Sequence, residues 1–418
     1  MSRILLTTWG SLGDLHPILA VGLGLRDRGH DIAIAAPESY RTKIESLGIE
    51  FHAIRPDLPQ DPQTVRRAMD PRTGPKRVLE DLILGNVRDT YDDLAAAAKT
   101  ADFLLAHEIV YAAPAVAEML KLPWATCTLA PNAFFSAHDP IVTSTAPGLA
   151  KLHQLGPGVN RWAIEFIKLV TQSWGKPLYA LRQDLGLPPT QNPIISHDKY
   201  SPHLVLALFS PLLGEPQPDW PPNVVTTGFT YYDGSRERQI APELETFLGA
   251  GEPPLVFTLG SAAVNAAADF YAQSAQAAAQ MNRRAVLLLG KNAPPDNLPP
   301  SILAWDYAPY SALFPRACAI VHQGGIGTTA QALRAGRPTL IAPYSLDQPD
   351  NAARAKKLGT SLTIAREQYS AARVVGALSI ILEMPSYGAE AAKVGRQLRL
   401  EDGVCAACDA LEKQLSEP

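Results

Sequence analysis

Apolar runs and amphipathic stretches alternate along this chain with a regular rhythm. In the first half the apolar runs are ILLTTW, DIAIAA, FHAI, DFLLAH and WATCTLA, each followed by a stretch with helical spacing. Runs that are apolar without alternation suit strands covered on both faces, and their alternation with helices predicts a doubly wound parallel sheet. HLVLALFS and NVVTTGF extend the series, flanking a Pro-rich crossing at Pro216, Pro218, Pro221 and Pro222. A second series, LVFTLGS, RAVLLLG, AWDYA, CAIVHQ and TLIAPY, predicts a second sheet of the same kind. Between them, 131–202 breaks the rhythm with two long helical patterns, RWAIEFIKLVTQSW and PLYALRQDLG.

With 418 residues the chain exceeds the size at which one core keeps growing. The pattern divides it into a first domain over 1–230, a polar connection over 231–252, a second domain over 253–385 and terminal helices over 386–418. A hydrophobic content of 46% supplies two buried sheets, and the 37 prolines are spread among apolar segments as turns. The net charge of −4, without a Lys/Arg run, excludes a basic nucleic-acid surface. No apolar stretch approaches the length of a membrane span, and the first residues enter a core strand, so a soluble, cytoplasmic protein is expected. Oligomeric state has no signature in the sequence. Four cysteines are too few for a disulfide scaffold, and Cys405 and Cys408 fall in an Ala-rich helical pattern instead of a redox turn. There is no metal-ligand cluster and no DxD that could hold a divalent ion.

The chemistry concentrates at 305–359. CAIVHQ stops at Gly324, Gly325 and Gly327, followed by Thr328 and Thr329, where a helix must begin. Glycines admit a ligand close to the backbone, and the free N–H groups of a first helical turn favour an anion such as a diphosphate. His322, Thr328 and Thr329 can donate to the same group. Asp347 and Gln348 follow TLIAPY at a strand's carboxyl end, where open α/β sheets bind ligands. A carboxylate beside an amide suits the vicinal hydroxyls of a sugar, while a helix N-cap is the plainer role for Asp347. Ser261, at the glycine turn after LVFTLGS, can also reach a phosphate.

At the other end of the chain, ILLTTW turns through Gly10-Ser11-Leu12-Gly13-Asp14-Leu15-His16-Pro17 into a helix in which Pro17 suits the first position. The spacing is not G-x-G-x-x-G, and an acid within the loop would repel a pyrophosphate, so a nicotinamide cofactor is not expected. Asp14 can serve as a general base or as a helix cap. His16 can line a ligand site or play a structural part. His107, ending DFLLAH, should emerge at the same sheet edge and can orient or support the base or cap a helix. Trp124, Phe134 and Phe135, with Trp162, Phe166 and Trp174, can line an apolar pocket or pack as core.

HQGGIGTT, AGRP and DQPDNAARA, in that order and spacing, resemble the donor-binding motif of the family 1 glycosyltransferases, most closely bacterial members acting on small lipophilic acceptors. The resemblance spans most of the chain and is specific mainly at 9–17 and 305–359. It implies the GT-B fold, two Rossmann-like domains facing across a cleft, with the last helix returning to the first domain. It further implies an inverting hexosyltransferase that moves a sugar from a UDP-sugar co-substrate, UDP-glucose foremost, to a phenolic or lipophilic hydroxyl such as that of a flavonoid. No other cofactor and no metal ion are implied. Asp14 takes the position of the catalytic base, with His16 and His107 nearby and Gly13 on the acceptor side. Ser261, His322, Gly324, Gly325, Gly327, Thr328 and Thr329 fall to the diphosphate, and Asp347 and Gln348 to the sugar. Family members of the plant type carry a tryptophan directly before Ala-Pro; here Tyr307 precedes Ala308, and base stacking passes to Tyr307. The alternatives are a noncatalytic nucleotide-sugar or lipid-binding protein, or another GT-B enzyme such as a nucleotide-sugar epimerase.

Overall fold

The computed structural model describes residues 1–59, 61–143, 155–233 and 239–416. The chain divides into two compact units. One holds Met1–Gln60, Thr73–Tyr232 and Asp402–Pro418, and the other holds Asp61–Arg72 and Asp233–Glu401. Asp61–Arg72, which lies inside the continuous stretch 1–230 expected of a first domain, thus groups with the second unit.

The first unit is built on β1 (Arg3–Thr7), β2 (Asp31–Ala36), β3 (Glu50–Ala53), β4 (Phe103–His107), β5 (Trp124–Thr128), β6 (Val205–Ala207) and β7 (Val224–Thr226). They form one sheet in the order β3-β2-β1-β4-β5-β6-β7, and every pairing is parallel. All five residues of β4 and of β5 are buried, as strands covered on both faces require. Trp124 is one of them and packs with Leu5, Trp9, Leu104 and Val116. Helix α1 (Leu12–Asp27) follows β1 and starts earlier than Pro17 suggested. Ser11 is its N-cap and Asp14 its third residue, and the two make a reciprocal capping box. The box nucleates the helix firmly enough for Pro17 to sit inside it. Helix α2 (Pro157–Thr171) occupies the interval where the strand rhythm stops. The terminal helix Gly403–Ser416 belongs to this unit, with Cys408 buried, Cys405 exposed and both thiols free.

The second unit contains β8 (Leu255–Thr258), β9 (Ala285–Leu288), β10 (Ile302–Trp305), β11 (Ala319–His322), β12 (Thr339–Ile341) and β13 (Ser361–Thr363). Their order is β10-β9-β8-β11-β12-β13, again all parallel. The edge strand β13, SLT, is too short and polar to stand out in the hydrophobic pattern. Helix α3 (Ile326–Ala335) begins directly after Gly325 and ends at Gly336, whose φ of 68° is the left-handed cap that glycine favours. Gly327, Thr328 and Thr329 therefore lie within the helix, and the turn itself is only Gly324-Gly325. Helix α4 (Gln348–Lys357) follows β12, and α5 (Pro385–Leu398) packs on α3.

The contact of α5 with the end of α3 depends on Gly395, where a Cβ would lie 2.6 Å from the Cα of Gly336. Gly388, in the same helix, has open space around it. Alanine gains about 1 kcal/mol over glycine in a helix, and overpacking costs about 1–3 kcal/mol. Urea unfolding should therefore show Gly388→Ala stabilised and Gly395→Ala destabilised; a gain in both would contradict the close packing.

Candidate functional site

In each sheet the winding direction reverses once, between β1 and β4 in the first unit and between β8 and β11 in the second. The connections leave these neighbouring strands in opposite directions, which opens a crevice at their carboxyl ends. Asp14 follows β1 and His107 ends β4. In the second unit Gly260 follows β8 and His322 ends β11.

Asp14 is partly buried, and its Oδ2 accepts from the Ser11 amide at 2.6 Å and the Ser11 hydroxyl at 3.1 Å. Gly10, with φ of 120°, is what makes room for it: a Cβ there would lie 2.5 Å from that oxygen. Burial raises the Asp14 carboxyl above its ordinary value, against the lowering influence of His107 and the Ser11 bonds. The register pairs Thr7 with Ala106, which sets Thr8 beside His107. Thr8 Oγ1 lies 3.2 Å from His107 Nδ1 and donates to the Asp14 carbonyl at 3.3 Å. On the other side of the ring, Nε2 is 3.1 Å from Oε2 of Glu108, an ion pair when the ring is protonated, and that oxygen has no hydrogen-bond partner. Lys199, also buried, donates to the Ala133 carbonyl at 3.3 Å, and burial moves its ammonium down to about 8 despite the nearby Glu108.

His16 packs its ring at 5.0 Å from Tyr232, and its Nε2 is buried without a partner. Burial, with Lys43 adding to it, lowers His16 to about 3, so it is a poor proton acceptor. Gly13 donates its amide to the Ser11 hydroxyl at 3.1 Å, inside the capping box.

The aromatic residues separate into two groups. Trp124 is 8% exposed and Phe134 is 2% exposed; Phe134 packs among Tyr200, Phe209 and Trp220, so both are core and do not line a pocket. The strand alternation and the turn after β5 point their rings inward. Phe135 is half-buried with a left-handed φ of 49°, and the Lys199 ammonium lies 5.6 Å from its ring. Trp162 and Phe166 stack on the exposed face of α2, and Trp174 packs partly against the core. A small recess, with room for about one water, is lined by Trp9, Ile83, Val87, Ile109 and Tyr111.

In the second unit His322 is fully buried. Its Nδ1 accepts from the Gly324 amide at 3.0 Å, so the proton of the neutral ring lies on Nε2, which has no partner. Gln323 sits between the glycine turns: its Nε2 is 3.4 Å from Thr328 Oγ1, and its Oε1 is buried without a partner. A Cβ at Gly260, whose φ is 64°, would overlap the Gln323 amide. Asp347 does not cap its own helix α4; its Oδ2 instead accepts from the Ile326 amide at 3.0 Å, at the start of α3, and from Asn351 Nδ2 at 2.7 Å. Gln348 Oε1 accepts from the Tyr344 amide at 2.8 Å, which commits that oxygen to its own loop. Thr329 is buried and gives its hydroxyl proton to the Gly325 carbonyl at 3.0 Å, so the expected donation from Thr329 to phosphate is not available. Ser261 is exposed, Tyr307 is 56% exposed, and Ala308 is core. Among the described residues, no group of three or more His, Cys, Asp or Glu could hold a metal ion, and no helix is long and apolar enough to cross a membrane.

Residues 4–134 match the Glycosyltransferase family 28 N-terminal domain, and residues 273–401 match the Erythromycin biosynthesis protein CIII-like, C-terminal domain. The O-mycaminosyltylonolide 6-deoxyallosyltransferase of Streptomyces fradiae is 33% identical over 432 residues, covering 98% of this chain and 97% of its own. The chain is a family 1 glycosyltransferase of the bacterial type. Solved structures agree on its GT-B fold. The glycotransferase of kitacinnamycin matches with a TM-score of 0.76 at 21% identity over 99% of both chains, and the glycosyltransferase VinC, in complex with dTDP, with 0.67 at 19% over 99% of both.

Four polar residues of this glycosyltransferase's clusters escaped the sequence reading: Glu108, Lys199, Gln323 and Asn351. Glu108 and Gln323 each adjoin a histidine at a strand's carboxyl end, so the reasoning that singled out His107 and His322 extends to them. Lys199 and Asn351 meet their partners only through tertiary packing.

Burial lowers His322 from 6.5 to about 3. The unfolded chain then binds its proton first, so this contribution to stability is whole above pH 6.5 and shrinks as pH falls toward 3. The loss of urea resistance on acidification from pH 6.5 should be shallower in His322→Asn, and an unchanged slope would mean that the ring is not held neutral.

Proposed function

We propose that this glycosyltransferase moves a hexose from a nucleoside diphosphate sugar to a hydroxyl of a lipophilic natural-product aglycone, by one displacement with inversion. UDP-glucose and a dTDP-6-deoxyhexose are the two donors to test first. The observation that carries this reading is the buried, unpartnered Nε2–H of His322 beside the N-terminus of α3. A buried donor left unpaired costs about 1–3 kcal/mol, and an anion that accepts from it, and from first-turn amides beyond that of Ile326, which Asp347 engages, recovers that cost. The leaving diphosphate is such an anion, and these dipoles stabilise its charge without a divalent ion. The dTDP bound to VinC and the deoxysugar in the name of the Streptomyces relative support a dTDP-sugar beside UDP-glucose.

On the acceptor side we assign Asp14 as the general base. Burial raises its carboxyl, and a base with raised affinity takes a hydroxyl proton more readily as the bond to the anomeric carbon forms. His107 supports the base, whereas His16, neutral and packed on Tyr232, fits a lining role.

Purified protein is incubated with UDP-glucose or a dTDP-6-deoxyhexose and a panel of macrolide, sterol and phenolic acceptors, with EDTA present, and glycosides are sought by mass spectrometry. Glycoside with an inverted anomeric centre is the expected product; retention, or dependence on a metal ion, would overturn the mechanism. Asp14→Asn should leave nucleotide binding unchanged in calorimetry and lower turnover about a hundredfold or more, and normal turnover would remove Asp14 as the base.

A further inference from the structure

The first unit places four ionisable side chains around the start of α1: Asp14, His107, Glu108 and Lys199. The contacts among them and Thr8 bear on where the protons lie. With its one proton on the Asp14 carbonyl at 3.3 Å, Thr8 Oγ1 accepts from His107 Nδ1, 3.2 Å away. The opposite ring nitrogen, Nε2, faces a Glu108 oxygen at 3.1 Å, and an ionised carboxylate can only accept. A neutral ring with its proton on Nδ1 would set a bare Nε2 against that carboxylate. With its proton on Nε2 alone, it would accept the Thr8 proton and leave the buried Glu108 carboxylate without a counter-charge at that side. The doubly protonated ring serves Thr8 and also gives Glu108 Oε2, which has no hydrogen-bond partner, an opposite charge 3.1 Å away.

We propose that Glu108 is a positioning residue for transfer: its carboxylate fixes His107 as an imidazolium, and that cation, linked through Thr8 to the Asp14 backbone, holds the Asp14 loop in place and its carboxylate ionised. The proposal rests on the reading of Asp14 as the base. The charged and titratable groups that face the pair are Asp14, Lys199, Tyr111, Tyr200 and Cys127. Burial works to discharge His107, yet Glu108 and then Asp14 outweigh it and raise the ring above its ordinary value, with Lys199 opposing. Glu108 is kept below the usual carboxylate range, since His107 and Lys199 overcome its burial. The Tyr111 and Tyr200 hydroxyls and the Cys127 thiol, pushed up first by burial and then by Glu108, stay neutral. The imidazolium in turn lowers Asp14, while Glu108 raises it more weakly. Neutralising Glu108 should thus discharge His107 and raise Asp14.

The test has two arms. In the whole protein labelled with 15N-histidine, with the His107 resonances assigned by their loss in His107→Gln, both ring nitrogens of His107 should be protonated near neutral pH. They should revert to a neutral tautomer in Glu108→Gln. A neutral His107 in the unaltered protein overturns the proposal even if the variant does not fold, and this arm does not depend on transfer activity. In the second arm, the acid limb of the kcat/KM profile should move to higher pH by about one unit in Glu108→Gln, with the donor KM unchanged. A uniform loss of rate at all pH values would make Glu108 merely structural and overturn the proposal. Loss of transfer in Asp14→Asn without any effect of Glu108→Gln on the limb would leave the base in place and remove only its support.

Discussion

The reversal of winding within each parallel sheet is the constraint on which the rest depends. It arises twice, and at each place two adjacent strands send their helices to opposite faces, so the backbone between them cannot close over the carboxyl ends. Whatever side chains follow those strands are therefore held by buried backbone at the edge where open α/β sheets bind ligands. In the first sheet they are acids and a histidine; in the second, glycines, a histidine and amides.

The two crevices differ in how they handle electrostatics. The first buries ionisable groups of opposite sign close together, where mutual attraction offsets part of their desolvation. The second holds neutral dipoles: a histidine kept uncharged, the amide of Gln323 and the first amides of α3. The Asp347 carboxylate completes one of those amides from outside the helix. In the proposed reaction this division is useful, because a group that exchanges a proton must change its charge, whereas a departing diphosphate needs fixed positive ends.

Much of this was legible in the sequence. Every run of buried apolar residues long enough to read as a strand became one, and the glycine turns located the helix starts to within a few residues. The misjudged starts share a cause. Pro17 and the threonines after Gly327 look like the residues at which their helices begin, but the starts lie at Leu12 and Ile326, and the groups that cap them, Ser11 and the Asp347 carboxylate, act through hydrogen bonds that spacing alone does not show. The aromatic residues could not be sorted by sequence because an apolar ring carries no label for core or lining: Trp124 and Phe134 pack inward, whereas Trp162 and Phe166, in the same series, face outward. Lys199 was invisible for a third reason, since its environment is assembled from segments far apart in the chain.

The partition of the chain between the two units has a consequence for modular exchange. The path passes from one unit to the other four times, after Gln60, Arg72, Tyr232 and Glu401. A chimera joined once near the middle of the chain would give the second unit an Asp61–Arg72 segment, and the first unit a terminal helix, of the wrong ancestry. Donor and acceptor preferences can be recombined cleanly only when those two short pieces travel with the units they belong to.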